Sequence, residues 1–316
     1  MEKGKVSVII PTYNLSGILT TRSIRSVLEQ TYKNIECIVI DDGSTDDTEE
    51  RVREIVRRDR RVRYFKTKNG GQAKAKNFGV EKAEGEFIAF NDHDDEYLAG
   101  YIEAAVRIFR AHPEVAYLSS GVINRDENGK ESYYLPALDP FWKLSIGNGW
   151  VFRAEALKEH EIHSDPVMSG FEDLDLHIQV HRYYRGFVID EPLRIYYLRT
   201  KPSSSVLNER EYHARFTKSF TNFFSKHGDL YRQEGKDALA WVSFFGGLVY
   251  SRAGELALGR TFFLNSWNAR KSFITASYLA VSHCGYRSLL IFDKVKSRIM
   301  RALRTLFLNR LPRSHA

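Results

Sequence analysis

Mostly apolar residues fall into short runs along the first third of the chain. Val6–Ile10 is a β-branched run closed by Pro11. Ile35–Ile40 is a second, ending in Asp41-Asp42-Gly43. Val62–Phe65 is a third, and Phe87–Phe90 a fourth, ending in Asn91-Asp92-His93-Asp94-Asp95. Runs of this length without polar alternation predict strands buried on both faces of a parallel sheet. Between them the spacing turns helical, at Ile24, Val27 and Leu28, at Val52, Ile55 and Val56, from the Asn69-Gly70-Gly71 turn to about Ala83, and over about Leu98–Phe109. Ser44 or Thr45 is the expected cap of the second of these helices, with Asp46 and Asp47 in its first turn, where the dipole favours anions. Alternating strands and helices make an α/β sheet, and such sheets bind ligands outside the carboxyl ends of their strands. Three polar clusters stand at those ends: Pro11-Thr12-Tyr13-Asn14, Asp41-Asp42-Gly43-Ser44 and Asp92–Asp95.

After about residue 112 the pattern changes. Val115–Ile123 and Ser132–Leu135 flank Glu127-Asn128-Gly129, a hairpin signal, and Gly147–Phe152, Phe187–Ile189 and Arg194–Leu198 read as further strands. Phe171–Arg185 fits both periods. Leu174, Leu176, Ile178 and Val180 alternate, while Leu176, Val180, Tyr183 and Tyr184 share a helix face. The acids that open the segment favour a helix. Lys201–Ser205 is a polar boundary, and from about Glu209 the reading is helical and strongly aromatic, with no catalytic signature. The expected division is 1–205, with halves 1–111 and 112–205, followed by a helical region over 206–316.

The chain has 316 residues, 43% apolar and 28% charged, which excludes a disordered or low-complexity protein. Two cysteines, Cys37 and Cys284, exclude a disulfide framework and fit a reducing compartment. The N-terminus shows no signal peptide, and no charge-free stretch reaches the roughly 18 apolar residues of a membrane span. A cytoplasmic protein is expected. The net charge is +7, and residues 287–316, with eight basic side chains against Asp293, carry all of it. The body is formally neutral, so it is not read as a nucleic-acid binder. In the tail, Val295, Ile299, Leu303, Leu306 and Leu311 follow helical spacing among the basic residues. Such a helix either lies on an anionic membrane surface, at the cytoplasmic face, or packs on the body with a solvated basic side.

The sequence resembles the inverting glycosyltransferases of family two, with the GT-A fold. The likeness rests on VSVIIPTYN, CIVIDDGSTDDT, NGGQAKAKNFGV, FIAFNDHDDEYL and GFEDLDLH, in that order, over about residues 5–200. It implies a GT-A-type, mostly parallel nucleotide-binding sheet flanked by helices, with a nucleotide-sugar donor (UDP favoured) and a glycan or lipid-linked acceptor. Departure of a nucleoside diphosphate needs positive charge at the pyrophosphate, and Mn²⁺ or Mg²⁺ prefers oxygen ligands. By resemblance, Asp94 leads the metal site, with Asp92 or Asp95 sharing the metal or touching the ribose, and His93 is a spacer. Asp41 accepts a hydrogen bond from the base, Thr12 and Tyr13 contact or stack on it, and Pro11 shapes the loop. Lys76 either faces the nucleotide phosphates or is a solvated helix lysine. Asp173, in the Glu172-Asp173 pair, is the general base of a single displacement. Trp150 and Glu172 are expected on the acceptor side, where Trp150 and Phe171 either offer apolar faces to a sugar or pack in the core.

Three features depart from the family pattern. Gln179 stands near a common arginine. Arg199 and Lys201 stand where many relatives have a histidine, and either is a candidate phosphate contact. Gln179-x-x-Arg182-Tyr183 only nearly matches the Q-x-x-R-W of processive synthases, and it lies too close to Asp173. A sugar nucleotidyltransferase would carry a Gly-rich basic loop where Pro11-Thr12-Tyr13-Asn14 stands. A catalytically inactive sugar-binding scaffold would not need Asp41, Asp94 and Asp173 together.

Overall fold

A computed structural model describes residues 1–136, 149–198 and 209–284, together with 288, 291, 292 and 296. The chain divides into two compact units, Met1–Leu207 and Asn208–Ala316.

The first unit is built on a nine-stranded sheet. β1 (Glu2–Thr12), β2 (Ile35–Asp41), β3 (Val62–Lys66) and β4 (Gly85–Phe90) lie in the order β3-β2-β1-β4, all parallel. β2 is buried along its whole length and β1 from Val6 onward, Ser7 and Glu36 included, whereas the edge strand β3 is only half-buried. Val6, Val8 and Ile10 enter one core with Ile24, Val27 and Phe109. Ile9 points the other way, into a core with Ile38, Phe90 and Phe152. Beyond β4 the sheet is mixed: β8 (Val151–Arg153) is antiparallel to β4 and to β6 (Val115–Arg125), whereas β9 (Arg185–Tyr197) is parallel to β6. β5 (Glu96–Tyr97) closes the edge on β9, and β7 (Glu131–Tyr134) pairs with β6 across the expected turn.

The helices depart from the expected boundaries in informative ways. After β1 come α1 (Ser16–Ile18), a π-helical turn (Leu19–Ile24) and α2 (Arg25–Leu28). Such turns occur often at functional sites. α3 (Thr48–Arg58) starts later than expected, because Ser44 serves the β1–β2 loops and Asp46 Oδ1 takes the Thr48 N–H at 3.1 Å. α4 (Gln72–Lys82) crosses close over β1, where a Cβ at Gly79 would run into the Ile9 side chain. α5 (Tyr101–Ala111) and α6 (Ala154–Glu159) flank the sheet. The ambiguous Phe171–Arg185 segment is a helix, α7 (Glu172–His181). The two expected strands 187–189 and 194–198 are one strand, β9, with its register shifted near Pro192.

The second unit contains α8 (Glu209–Gln233), α9 (Lys236–Arg252), α10 (Leu256–Ala269) and α11 (Phe273–Ser282). Glycines let α9 and α10 meet closely: a Cβ at Gly247 would strike the Phe263 ring. Phe263 and Tyr278 centre its aromatic core, with Phe244 against both. No helix among the described residues is long and apolar enough to cross a membrane. Apart from residues 288, 291, 292 and 296, the expected basic helix of 287–316 lies outside the described residues, as do Arg199, Lys201 and the 201–205 boundary.

Candidate active site

The carboxyl ends of β1, β2 and β4 open into one cleft, lined by Pro11, Thr12 and Tyr13, by Asp42, and by Asp92, His93 and Asp94. Its wall is laced together by side chains that bond to backbone. Asn14 adopts the left-handed conformation, φ 49°, donates its N–H to Ser44 Oγ at 3.0 Å and accepts the Thr45 N–H at 2.8 Å. His93 is more than a spacer, because its Nδ1 lies 3.1 Å from Thr12 Oγ1 and accepts the Tyr13 N–H at 3.4 Å.

Asp41 does not line this cleft. It is fully buried; Ser44 N–H donates to Oδ1 at 2.7 Å and Tyr64 Oη to Oδ2 at 2.5 Å. Burial and Asp41 together hold the Tyr64 phenol well above its usual range, so it stays a donor. The acid at the cleft wall is Asp42, whose two oxygens accept the Gly70 and Gly71 N–H groups at 2.8 Å each. The β2 end thus places the expected base-reading residue inside and its neighbour outside.

The Asp92–Asp95 loop is clamped from the first helical segment. Ser23 Oγ donates to the Asp92 carbonyl at 2.9 Å and accepts Asn91 Nδ2 at 2.8 Å. Arg22 Nη1 donates to the Asp94 carbonyl at 3.0 Å, and its guanidinium lies 3.4 Å over the Tyr197 ring. Gln72 Nε2 donates to Asp92 Oδ1 at 2.8 Å. Burial, then the charges of Asp173, Asp94 and Glu172, push the Asp92 carboxyl up to about 7 against the pull of Lys76. Asp95 is raised well above the carboxylate range by burial and by Asp92 and Asp94. Crowded negative charge on hard oxygen donors suits a divalent cation such as Mg²⁺, which uses one or two carboxylates and takes its other ligands from water and phosphate. The donor set therefore fits such an ion, although no three acid, histidine or cysteine side chains among the described residues form a ready-made cage.

Across the cleft α7 begins with Glu172 and Asp173. Lys76, expected to be solvated or to face phosphate, is wholly buried, and its Nζ lies 2.5 Å from Asp173 Oδ1. Burial alone would lower this ammonium, but Asp173, Asp92 and Glu172 more than offset it and hold the lysine above its usual range. Glu172 is buried, accepts the Gly170 N–H and is raised by burial and by Asp173. Asp173 keeps 24% of its side chain exposed, enough to meet a ligand.

Trp150 and Phe171 do not present faces to the cleft. Trp150 is 6% exposed and lies 4.6 Å from the His177 ring and 5.7 Å from Tyr117, while Phe171 is 3% exposed, so both are core residues. Gln179 uses its amide on Asp175 at 2.8 Å and on the His163 carbonyl at 3.0 Å. A larger, mainly apolar cleft of about 550 Å³ lies farther along α4, between Val80, Phe90, Leu157 and Leu176; the acids of the loop do not line it. Sequence reasoning missed Arg22, Ser23 and Gln72. Their only signal is an ordinary polar helix face, and two of the three act on backbone carbonyls.

A sequence model described as Glycosyl transferase family 2 matches residues 7–164, half of the chain. The glycosyltransferase GlyG of Streptococcus pneumoniae serotype 4 is 28% identical over 242 residues, covering 70% of this chain and 78% of GlyG. The GalNAc(5)-diNAcBac-PP-undecaprenol beta-1,3-glucosyltransferase of Campylobacter jejuni is 40% identical over 105 residues, 33% of this chain and 34% of that protein. The chain spans between 17% and 38% of the length of the Rickettsia and Haemophilus influenzae glycosyltransferases that it also matches. Among solved structures, Staphylococcus aureus TarS 1-349 in complex with UDP-GlcNAc superposes with a TM-score of 0.58 at 20% identity, covering 88% of this chain and 91% of that one. Mannosyltransferase PcManGT from Pyrobaculum calidifontis, in complex with GDP-Man and Mn²⁺, gives 0.54 at 19% identity, covering 89% and 79%. The structural likeness carries the fold and the sequence match carries the family: the chain belongs to glycosyl transferase family 2 and has the GT-A fold.

Proposed function

We propose that the protein is a non-processive inverting glycosyltransferase that moves a sugar from a nucleotide sugar, with UDP favoured, to a hydroxyl of a glycan or lipid-linked acceptor. One observation carries this reading: Asp173, the expected base, is gripped by a buried lysine that also answers to Asp92, so the base and the acidic loop meet around a single ammonium. The donor class is supported by the nucleotide sugars in the TarS and PcManGT complexes. A lipid-linked acceptor is supported by the undecaprenol-linked glycan in the name of the Campylobacter relative.

In this reading the nucleotide lies against Pro11, Thr12 and Tyr13 at the β1 end, with its diphosphate toward the acidic loop. Asp94, with Asp92 or Asp95, would hold a Mn²⁺ or Mg²⁺ ion, which supplies charge for the departing diphosphate. The chain's own residues do the rest. Asp173 takes the acceptor hydroxyl's proton as that oxygen bonds to the anomeric carbon, and the bond to the diphosphate oxygen breaks on the opposite face, inverting the configuration. Lys76 fixes one oxygen of Asp173, leaving the other to meet the hydroxyl. Ser23, Arg22 and Gln72 hold the acidic loop in register with β1. The basic tail, 287–316, is read as a reversible anchor on an anionic membrane, on its charge and spacing alone.

Calorimetry with UDP in Mn²⁺ and in EDTA tests the core of this reading. Expected is UDP binding that weakens at least tenfold in EDTA. Equal affinity in both removes the metal, and no binding of any nucleoside diphosphate removes the donor site.

A further inference from the structure

Trp150 and Phe171, the aromatic residues expected to meet a sugar, both lie in the core. We propose that Tyr196, near the end of β9, takes that part: its ring packs against the apolar face of the sugar that is transferred. The inference rests on the nucleotide-sugar reading of the cleft and adds a residue to it.

The first step is register. β5 runs antiparallel to β9, with Tyr97 opposite Arg194 and Glu96 opposite Ile195. One residue further, the same register sets Asp95 opposite Tyr196, and the Tyr197 N–H donates to Asp95 Oδ1 at 3.4 Å. Side chains alternate along both segments, so Tyr196 shares a face with Asp95. Tyr197 takes the other face with Glu96, to which its hydroxyl donates at 2.8 Å. The second step is availability. Tyr196 is 41% exposed, between Ile195 at 4% and Tyr197, whose ring lies under Arg22. Among the described residues no ring, guanidinium or hydrogen-bond partner engages the Tyr196 side chain. The third step is position. Burial, then the charges of Asp95, Asp92, Asp94 and Asp173, push the Tyr196 phenol up to about 12. It stays protonated, and it feels the acidic loop and the base together. In a single displacement the sugar spans the gap between the departing diphosphate and the attacking hydroxyl. With the first at the loop and the second at Asp173, Tyr196 answers to both ends of that span. A tyrosine ring offers a large apolar face at a small ordering cost, and the C–H face of a sugar ring complements it.

A rival role has Tyr196 merely shielding Asp95, as part of the loop's support. Two substitutions separate the roles. Tyr196→Ala removes the ring, and Tyr196→Phe removes only the hydroxyl. After thermal melts show that each variant is folded, the full chain is titrated by calorimetry at fixed Mn²⁺ with UDP, UDP-glucose and UDP-GlcNAc. Release of UDP from the two sugar nucleotides, without acceptor, is followed as a rate. For the sugar nucleotide that wild type binds more tightly, Tyr196→Ala should lose about 3- to 10-fold in affinity or in hydrolysis, with UDP affinity unchanged within about twofold. Tyr196→Phe should stay within about twofold of wild type on every probe. The proposal is overturned if Tyr196→Ala weakens UDP as much as the sugar nucleotide, because the residue then serves the loop. It is also overturned if affinity and hydrolysis both stay normal in Tyr196→Ala, or if Tyr196→Phe is as impaired as Tyr196→Ala. If the wild-type chain binds no UDP at all, the nucleotide reading falls and this inference falls with it, an outcome visible before any variant is made.

Discussion

Asp41 and Asp42 offer four carboxylate oxygens and meet four donors: the Ser44, Gly70 and Gly71 backbone amides and the Tyr64 hydroxyl. Asp92, Asp95 and Glu172 are treated in the opposite way. Their carboxyls are all pushed upward, by burial first and then by neighbouring carboxylates, Asp94 and Asp173 among them, and Lys76 answers to Asp92, Glu172 and Asp173 together. Both groups border the same strand ends. A buried acid matched by backbone donors adds rigidity and asks for nothing more. Acids crowded around one ammonium leave negative charge that a cation or a proton relieves. The contrast separates the part of the cleft that holds shape from the part that does chemistry.

The largest expected effect comes from breaking the chemical side. Asp173→Asn keeps the size of the side chain and removes the base, so turnover should fall by a factor of about 10²–10⁴ while UDP affinity changes less than about twofold. Steady-state kinetics on the true acceptor and calorimetry with UDP check both halves. Near-normal turnover would move the base to another residue.

Next in size is the shared ammonium. Lys76→Met preserves bulk and leaves Asp92, Glu172 and Asp173 facing one another. Removing one partner of a buried pair costs about 3–5 kcal/mol, read by urea unfolding. The pH dependence has a definite sign. Without the ammonium the carboxyls of Asp92 and Glu172 are raised further in the folded state, so the native protein binds protons that the unfolded chain releases. Stability then falls as pH rises through the folded values, and Asp92 already stands at about 7 with the lysine present. The variant should be closest to wild type near pH 5.5 and farthest near pH 8. A pH-independent loss would mean that Lys76 contributes packing rather than charge.

These two residues also mark how far sequence reading reaches. The strands Val6–Ile10, Ile35–Ile40 and Phe87–Phe90 are visible because burial on both faces leaves a mostly apolar run, interrupted only by Ser7 and Glu36, which bond to each other. The carboxylates at the strand ends are visible because each follows such a run. The two-residue β5 and the π-helical turn leave no periodic trace, and Asp190-Glu191-Pro192 hides the continuity of β9, where the strand tolerates proline at a register shift. Lys76 reads as an ordinary helix lysine, since its partner lies 97 residues away and burial is a tertiary fact. Trp150 shows the converse, an aromatic beside the site that packing claims for the core. The clamps from Ser23 and Arg22 land on backbone carbonyls, which are the same at every residue and so carry no signal.

The smallest effect tests the shape-holding side, where sequence and structure differ most. By resemblance Asp41 reads the nucleotide base, yet its carboxylate is buried and bonded by Ser44 and Tyr64. Tyr64→Phe removes one donor and nothing else. If Asp41 is scaffolding, the loss appears as stability, about 1.5–3 kcal/mol for a hydrogen bond to a charged group, and UDP affinity stays within about twofold. If Asp41 meets the base when a nucleotide is bound, Tyr64 competes with the ligand for Oδ2, and the variant should bind UDP as well as wild type or better despite its lower stability. Uridine discriminates further, because it carries the base without the phosphates. Tighter uridine binding by Tyr64→Phe would return Asp41 to base recognition, whereas unchanged uridine binding beside a clear loss of stability would leave Asp42 as the acid that the nucleotide meets at this strand end.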